Sequence, residues 1–211
     1  KDFYKDYSVA GVIQTVVKIE GPIHIEELSR RVANHWGMEK AGSKIIEVIS
    51  DRVVWTDGII RKGDFVWPSK LKRPKIRIPL KGEKPRNIEY VCTEEIEEAI
   101  LLCIKDGFSL TKEDTIVQTA RLFGYNRTGD NVRTRIGAII TKLAFASCII
   151  KMNDGQYQLP KVHSCSKCDS KLEEINGLVR CPCCDTYCDK CGCLVEDEDK
   201  ECPNCKSELD S

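Results

Sequence analysis

The sequence has no net charge: 33 Lys and Arg stand against 33 Asp and Glu. That excludes a uniformly basic chain that holds nucleic acid by bulk charge alone. It has no apolar run near the roughly 18–20 residues that a membrane-spanning helix needs, so neither such a helix nor a membrane partner is expected. It lacks an initiator Met and a signal-peptide apolar segment around Lys1-Asp2-Phe3, which predicts a piece of a longer protein. Histidine is scarce, with only His24, His35 and His163, and there is no P-loop, GxGxxG or HExxH. His24 reads as a turn residue and His35 as a helix end, and neither sits in a nucleophile arrangement. Glu94, Glu95, Glu97 and Glu98 crowd a helix start, where the macrodipole favours them. No catalytic residue and no small-molecule substrate are therefore expected in this segment.

What the chain does have is cysteine, 13 in all, and the ten from Cys165 to Cys205 gather at its end. Eight of these form four CxxC pairs: Cys165 and Cys168, Cys181 and Cys184, Cys188 and Cys191, Cys202 and Cys205. Two thiolates three residues apart chelate one ion from a tight turn, so eight supply two closed, structural Zn(II) sites. Without a secretion signal, metal is a better reading than disulfides. Asn176-Gly177, between strand-like flanks, marks a hairpin joining the first two knuckles, as in a zinc ribbon. Sequential pairing puts Cys165, Cys168, Cys181 and Cys184 on one ion, and Cys188, Cys191, Cys202 and Cys205 on the other. A cross-braced pairing is the alternative, and an iron–sulfur cluster the minority reading. Cys183, Cys193 and His163 are left over, while Cys92, Cys103 and Cys148 read as small core residues.

A repeat organises the rest. Val9, Val12, Ile13, Val16 and Val17 share one helical face, and Ile96, Ala99, Ile100, Cys103 and Ile104 repeat it 87 residues later. Gly37 and Gly42 recur as Gly124 and Gly129; Ile45, Ile49 and Val53 as Val132, Ile136 and Ile140; and Trp36 as Phe123. Each unit reads as three helices and a hairpin. The second helices are 25–36 and 111–123, the latter with Thr111 and Asp114 as a capping box. Ser43 and Asp130 stand where a third helix wants its N-cap. The hairpins turn at Lys62-Gly63 and Asp154-Gly155. The expected architecture is mainly α with small β-hairpins: a tandem winged helix-turn-helix plus a C-terminal double zinc ribbon. Its parts are winged helix 1 (1–68), a basic extended linker (69–88), winged helix 2 (89–160) and the ribbons (161–211).

The zero charge is unevenly spread. Residues 69–88 carry eight cations (Lys70, Lys72, Arg73, Lys75, Arg77, Lys81, Lys84, Arg86) and one anion, Glu83. Half of the chain's 8 prolines lie within or beside this stretch, at positions 68, 74, 79 and 85, so it reads as an extended connector. Either it is a solvated connector, or Lys72, Arg73 and Lys75 hold phosphate. In a winged helix the third helix enters the major groove and the wing touches backbone. In the second unit Val132, Ile136, Ile139, Ile140 and Leu143 take the core side. Asn131, Arg135, Ala138 and Lys142 form the opposite stripe, preceded by Arg127 and Thr128, and these side chains suit base edges and phosphates. The first unit offers Lys44 with Glu47 and Asp51, which repel phosphate, and a wing with Arg61 and Lys62. DNA, duplex or junction, is thus the expected partner of the second unit. A protein-docking role for both units is the competing reading.

Glu20-Gly-Pro-Ile-His-Ile-Glu-Glu-Leu-Ser-Arg-Arg-Val-Ala33, Trp36-Gly37, Ala41-Gly-Ser-Lys-Ile45, Gly63-Asp-Phe-Val-Trp67 and Ala120-Arg-Leu-Phe-Gly-Tyr-Asn-Arg-Thr-Gly129 occur in this order. Over about residues 9–160 they resemble a domain of unknown function found at the C-terminus of large bacterial superfamily-1 helicases. The cysteine tail lies outside that pattern. The resemblance implies a bacterial or archaeal cytoplasmic parent that moves on DNA using ATP, often with a Vsr-like or similar nuclease domain and sometimes a role in phage defence. It supplies no catalytic residues here, only an accessory role beside helicase or nuclease domains. The rival is an interaction scaffold resembling the winged-helix and zinc-ribbon architecture of transcription initiation factors.

Overall fold

The computed structural model describes Phe3, residues 8–160 and four short strands beyond them. The chain divides into two compact units, Lys1–Leu159 and Pro160–Ser211.

In the first unit the repeat is carried by backbone topology. Helix α1 (Ser8–Glu20) buries Val9, Ile13 and Val17, the stripe its sequence period predicts. Strand β1 (Ile23–His24), helices α2 (Ile25–His35) and α3 (Ser43–Val54), and strands β2 (Ile59–Lys62) and β3 (Phe65–Pro68) follow. After a 3-10 turn at Ile88–Tyr90 the order recurs as α4 (Thr93–Gly107), β4 (Leu110–Thr111), α5 (Lys112–Leu122), α6 (Asp130–Phe145), β5 (Ile150–Lys151) and β6 (Gln156–Gln158). The described residues are thus mainly helical, with small antiparallel sheets.

The two sheets have one topology. The order is β1-β3-β2 in the first and β4-β6-β5 in the second. In each, the two-residue strand ahead of the second helix pairs with the last strand of the hairpin: Ile23 with Val66, and Leu110 with Tyr157. The offset between repeats is 87 at the second helix (Ile25 to Lys112) and 91 at the last strand (Val66 to Tyr157). The third helix, 12 residues in α3 and 16 in α6, is longer by about one turn; the offset is 90 on the first hairpin strand (Arg61 to Lys151), and the longer hairpin turn adds the last residue.

Each repeat has its own core. Val9, Ile13, Val17, Leu28, Val32, Ile49 and Val66 anchor the first, where Phe3 adds an edge-on contact to Trp36 at 5.4 Å. Ile96, Ile100, Ile104, Ile136, Ile140 and Ile149 anchor the second. Cys92 and Cys103 are buried as expected, but Cys148 is exposed. It stands just past the end of α6, and the next residue, Ile149, takes the core position.

The caps differ from expectation in one respect. Thr111 caps α5 as expected, its Oγ1 accepting from the Asp114 N–H at 3.1 Å. Ser43 and Asp130 are not N-caps; Gly42 and Gly129 are, and no side chain caps either helix. Both glycines hold the extended conformation of a cap, so the following residue is already the first of its helix. The turns also differ between repeats. Gly63 and Asp64 make a two-residue connection between Lys62 and Phe65, with Gly63 at φ 58°. In the second repeat the Met152 N–H donates to the Gln156 carbonyl, closing a three-residue loop with Gly155 at φ 82°.

Residues 69–87 contain no helix or strand. They are not a loose connector, because Arg77 and Arg86 fix them to the α4 side chain Glu95.

In the second unit, β7 (Glu173–Ile175) pairs antiparallel with β8 (Leu178–Arg180), Ile175 opposite Leu178, as the intervening Asn-Gly predicts. Strand β9 (Thr186–Tyr187) pairs with β10 (Leu194–Val195), Tyr187 opposite Leu194.

Candidate nucleic-acid interface

Helix α6 buries Val132, Ile136, Ile139, Ile140 and Leu143, the side expected to face the core. The opposite stripe divides. Asn131 and Ala138 are exposed. Arg135 is half-buried: its Nη2 donates to the Val91 carbonyl at 2.8 Å, and its buried Nε has no partner. Lys142 is exposed, but its Nζ lies 2.9 Å from Glu97 Oε1 of α4, and this hydrogen bond, then the Glu97 charge, raises its pKa. Neither side chain is buried against the first repeat. Both sit on the α6 flank that faces α4, because stepping about 100° per residue from the core brings them round to that side. The outermost line of α6 is Asn131, Thr134, Ala138, Thr141 and Phe145, all exposed and uncharged. Arg133, which flanks it, pairs with Glu113 of α5.

The remaining expected contacts lie on the surface. Arg127 is exposed and Thr128 half-buried ahead of α6. At the first hairpin, Arg61 is exposed and its Nε donates to the Gly63 carbonyl at 2.9 Å. Lys62 Nζ lies 4.2 Å above the Trp67 ring, a cation–π contact that holds the ammonium beside the turn. Lys72 and Lys75 are exposed. Arg73 is 79% exposed and 3.6 Å from Glu98, so water screens that pair.

The centre of the arrangement is Glu95, which the sequence places among surface acids at a helix start but the structure buries fully. Its carboxylate accepts from the Arg77 backbone N–H (2.9 Å) and Nη2 (2.7 Å) and from Arg86 Nη2 (2.5 Å). Arg77 also donates Nη1 to the Glu20 carbonyl and Nη2 to the Pro22 carbonyl (2.7 Å), both in the first repeat. Arg86 donates to the Arg77 carbonyl, and its own carbonyl accepts from the Tyr125 hydroxyl. Burial pushes the Glu95 pKa up, but hydrogen bonds and charge from Arg86 and Arg77 outweigh it and hold the carboxyl below its usual range. One carboxylate thus fastens the basic segment to both repeats. The signal was present: Glu95 is four residues before Ala99, on the edge of the buried α4 stripe.

A second contact crosses the same seam. Tyr90 stacks on His24 at 4.5 Å and donates its hydroxyl to Glu26 Oε2 at 2.6 Å. His24 Nδ1 accepts from the Glu26 N–H at 3.3 Å and so caps α2. This places His24 in a structural role that its sequence position, read as a turn, does not disclose.

The eight paired cysteines (Cys165, Cys168, Cys181, Cys184, Cys188, Cys191, Cys202 and Cys205), with Cys183, Cys193 and His163, lie outside the described residues. Among the described residues, no group of three or more His, Cys, Asp or Glu side chains gathers as metal ligands. Burial pushes the Cys92 thiol up to about 12 and raises that of Cys103, so both are protonated at neutral pH. Among the described residues no helix is long and apolar enough to cross a membrane.

The family described as "Protein of unknown function (DUF3320)" matches residues 2–47, which reach from α1 into α3. No curated protein and no solved structure matches the chain.

Proposed function

We propose that this chain is a non-catalytic, DNA-binding accessory module of a cytoplasmic helicase or helicase–nuclease, in the setting of bacterial defence against phage. One observation carries the DNA reading. Of the eight cations in residues 69–88, Arg77 and Arg86 are fixed on Glu95 and Arg73 approaches Glu98. Lys70, Lys72, Lys75, Lys81 and Lys84 remain exposed, with no carboxylate partner among the described residues. A strap anchored at two arginines that offers five unpaired ammonium groups is suited to a run of phosphates. The repeated order of three helices and a hairpin, with β1 or β4 as third strand, supports a tandem winged helix-turn-helix. Arg61 and Lys62 are then wing contacts, and Arg127 and Asn131 lead the third helix of the second unit. Because Arg135 and Lys142 are engaged within their own repeat, strand shape and backbone carry more of the recognition than base reading does. The helicase setting rests on the motif resemblance alone.

The C-terminal unit is proposed to be a double zinc ribbon with two structural Zn(II) ions, in the sequential ligand sets given above. Strand β8 ends one residue before Cys181, and Cys188 and Cys191 fall between β9 and β10, spacings suited to knuckles at hairpin ends. Elemental analysis tests this: about two zinc per chain is expected, and one zinc, or iron, overturns the ligand sets.

Gel-shift titration over a salt series tests the DNA reading. Affinity falls steeply with salt, and changing Lys70, Lys72 and Lys75 to Glu weakens binding on all sequences and lowers the log–log slope by about one per contacted lysine. Affinity indifferent to both salt and these substitutions removes it. A protein-docking role, resembling winged-helix and zinc-ribbon transcription factors, has its own support. Trp55 (86% exposed) and Phe145 (94% exposed) sit at the ends of the third helices.

A further inference from the structure

The seam between the repeats encloses a hollow of about 370 Å³. Arg30 and Arg31 reach it from α2, and Arg77, Lys84 and Arg86 from the strap. Against these five cations stand Glu20 and Glu27 on the wall and Glu95 sealed behind it, a surplus of two positive charges. Glu26 lines a neighbouring hollow together with Lys40 and accepts from the Tyr90 hydroxyl.

Most of the cationic donors are already committed. Arg30 grips Glu27 through Nε (2.9 Å) and Nη2 (2.5 Å). Arg77 and Arg86 are spent on Glu95 and on backbone carbonyls. Two donors are not. Arg31 Nε lies 3.2 Å from Glu20 and 3.3 Å from Glu27, and its Nη groups make no hydrogen bond among the described residues. Lys84, from the opposite wall, is exposed and likewise without a partner there.

We propose that this hollow binds a phosphate group, held between the Arg31 fork and the Lys84 ammonium. The chemistry selects the ligand. A phosphate monoester carries roughly −1.5 to −2 charge at neutral pH, which the surplus matches and a carboxylate does not. The planar fork of Arg31 gives two parallel hydrogen bonds to phosphate oxygens, and Lys84 adds a point charge. The walls are held in place before any ligand arrives, since Glu95 fixes the strap and Glu27 fixes Arg30, so little order has to be imposed on binding. The site goes beyond the DNA reading, because it requires a phosphate group whatever molecule bears it. A bound phosphate ties α2 to the strap and so stiffens the seam.

Calorimetric titration of the 211-residue chain with inorganic pyrophosphate tests the proposal. Saturable binding at one site is expected. Arg31→Gln with Lys84→Gln weakens it at least tenfold, while Lys70→Gln with Lys72→Gln leaves it unchanged. Both substituted side chains are exposed, so the far-UV circular dichroism of the variant matches the parent's; Lys84→Gln alone serves if it does not. Competition then identifies the bearer. An oligonucleotide that displaces pyrophosphate only when 5′-phosphorylated marks a strand end, and equal displacement by the unphosphorylated strand marks the phosphodiester backbone. Displacement by neither leaves a free phosphate compound as the ligand. Absent pyrophosphate binding, or binding untouched by the Arg31 and Lys84 changes, overturns the proposal. The same result with salt-dependent DNA binding intact removes this site and leaves the DNA reading standing.

Discussion

Single residues decide more here than their surface positions in the sequence suggest. Glu95 is 0% exposed and bears hydrogen bonds from two guanidinium groups that are only about a third exposed. Removing one partner of such a set leaves the others desolvated and uncompensated, at a cost of about 3 kcal/mol or more. Glu95→Ala is therefore expected to lower the melting temperature by roughly 10 °C, since each kcal/mol is worth about 2–4 °C in a unit of this size. The pH dependence has a definite sign. The folded-state pKa of Glu95 lies below the ordinary 4.5, so the stability it confers is complete above that value and is lost as pH falls through the folded pKa. Glu95→Gln flattens the acid limb of the stability curve, measured by urea melts between pH 3 and 6; Glu27, also shifted down, keeps part of the slope. An unchanged acid limb would show that the carboxylate is not the anchor. Phe108 makes the opposite case. It sits at φ 59°, ψ −44°, with the Ser109 N–H donating to the Gly107 carbonyl, a positive-φ γ-turn at a residue 87% exposed. Phe108→Gly relieves that strain while losing almost no packing, and a gain of about 1 kcal/mol is expected in the urea midpoint.

At the scale of elements, apolar period and glycine spacing were enough to place six helices in two matched sets, because each helix buries one face against its own repeat. The ends of α3 at Val54 and of α6 at Phe145 fall one and two residues past the last members of their apolar stripes, Val53 and Leu143. Caps were less legible. A Ser or Asp beside a Gly reads as the cap by residue preference, yet backbone geometry gave the position to Gly42 and Gly129. This yields a stability test. Both glycines have extended φ and ψ, and a Cβ at either meets nothing within 4 Å. Gly42→Ser and Gly129→Ser each supply the missing acceptor and stiffen the unfolded chain, for a gain of about 1 kcal/mol. Thr111→Ala, which removes a cap already made, loses about as much. A Gly129→Ser variant less stable than its parent would mean that the cap conformation is wrongly placed. The reading surface of α6 was the least legible feature. Sequence spacing gives the helical face of Arg135 and Lys142, but not that Val91 and Glu97 lie opposite that face.

For the whole molecule, the division at Leu159 separates a unit held by two apolar cores from the cysteine-rich tail. Four CxxC pairs in about fifty residues were readable because thiolate spacing is a local property; the clamp through Arg77 was not, because it joins residues 18 and 57 positions apart. The two units should then respond differently to metal removal. If the tail folds around two zinc ions, apparent binding energies of about 10–16 kcal/mol per structural site are also its folding energy. Stripping the metal with a strong chelator should expose the eight ligand thiols to a thiol reagent and release the tail to proteolysis after residue 160. On this reading the ions belong to the tail alone, so the circular dichroism and melting temperature of the helical unit should stay within about 2 °C of the untreated chain. A truncated chain ending at Leu159 should melt cooperatively at that same temperature. Joint collapse of both units on chelation would mean that the metal supports the repeats as well, and the strap, with Glu95 at its centre, could no longer be treated as the element that orders them.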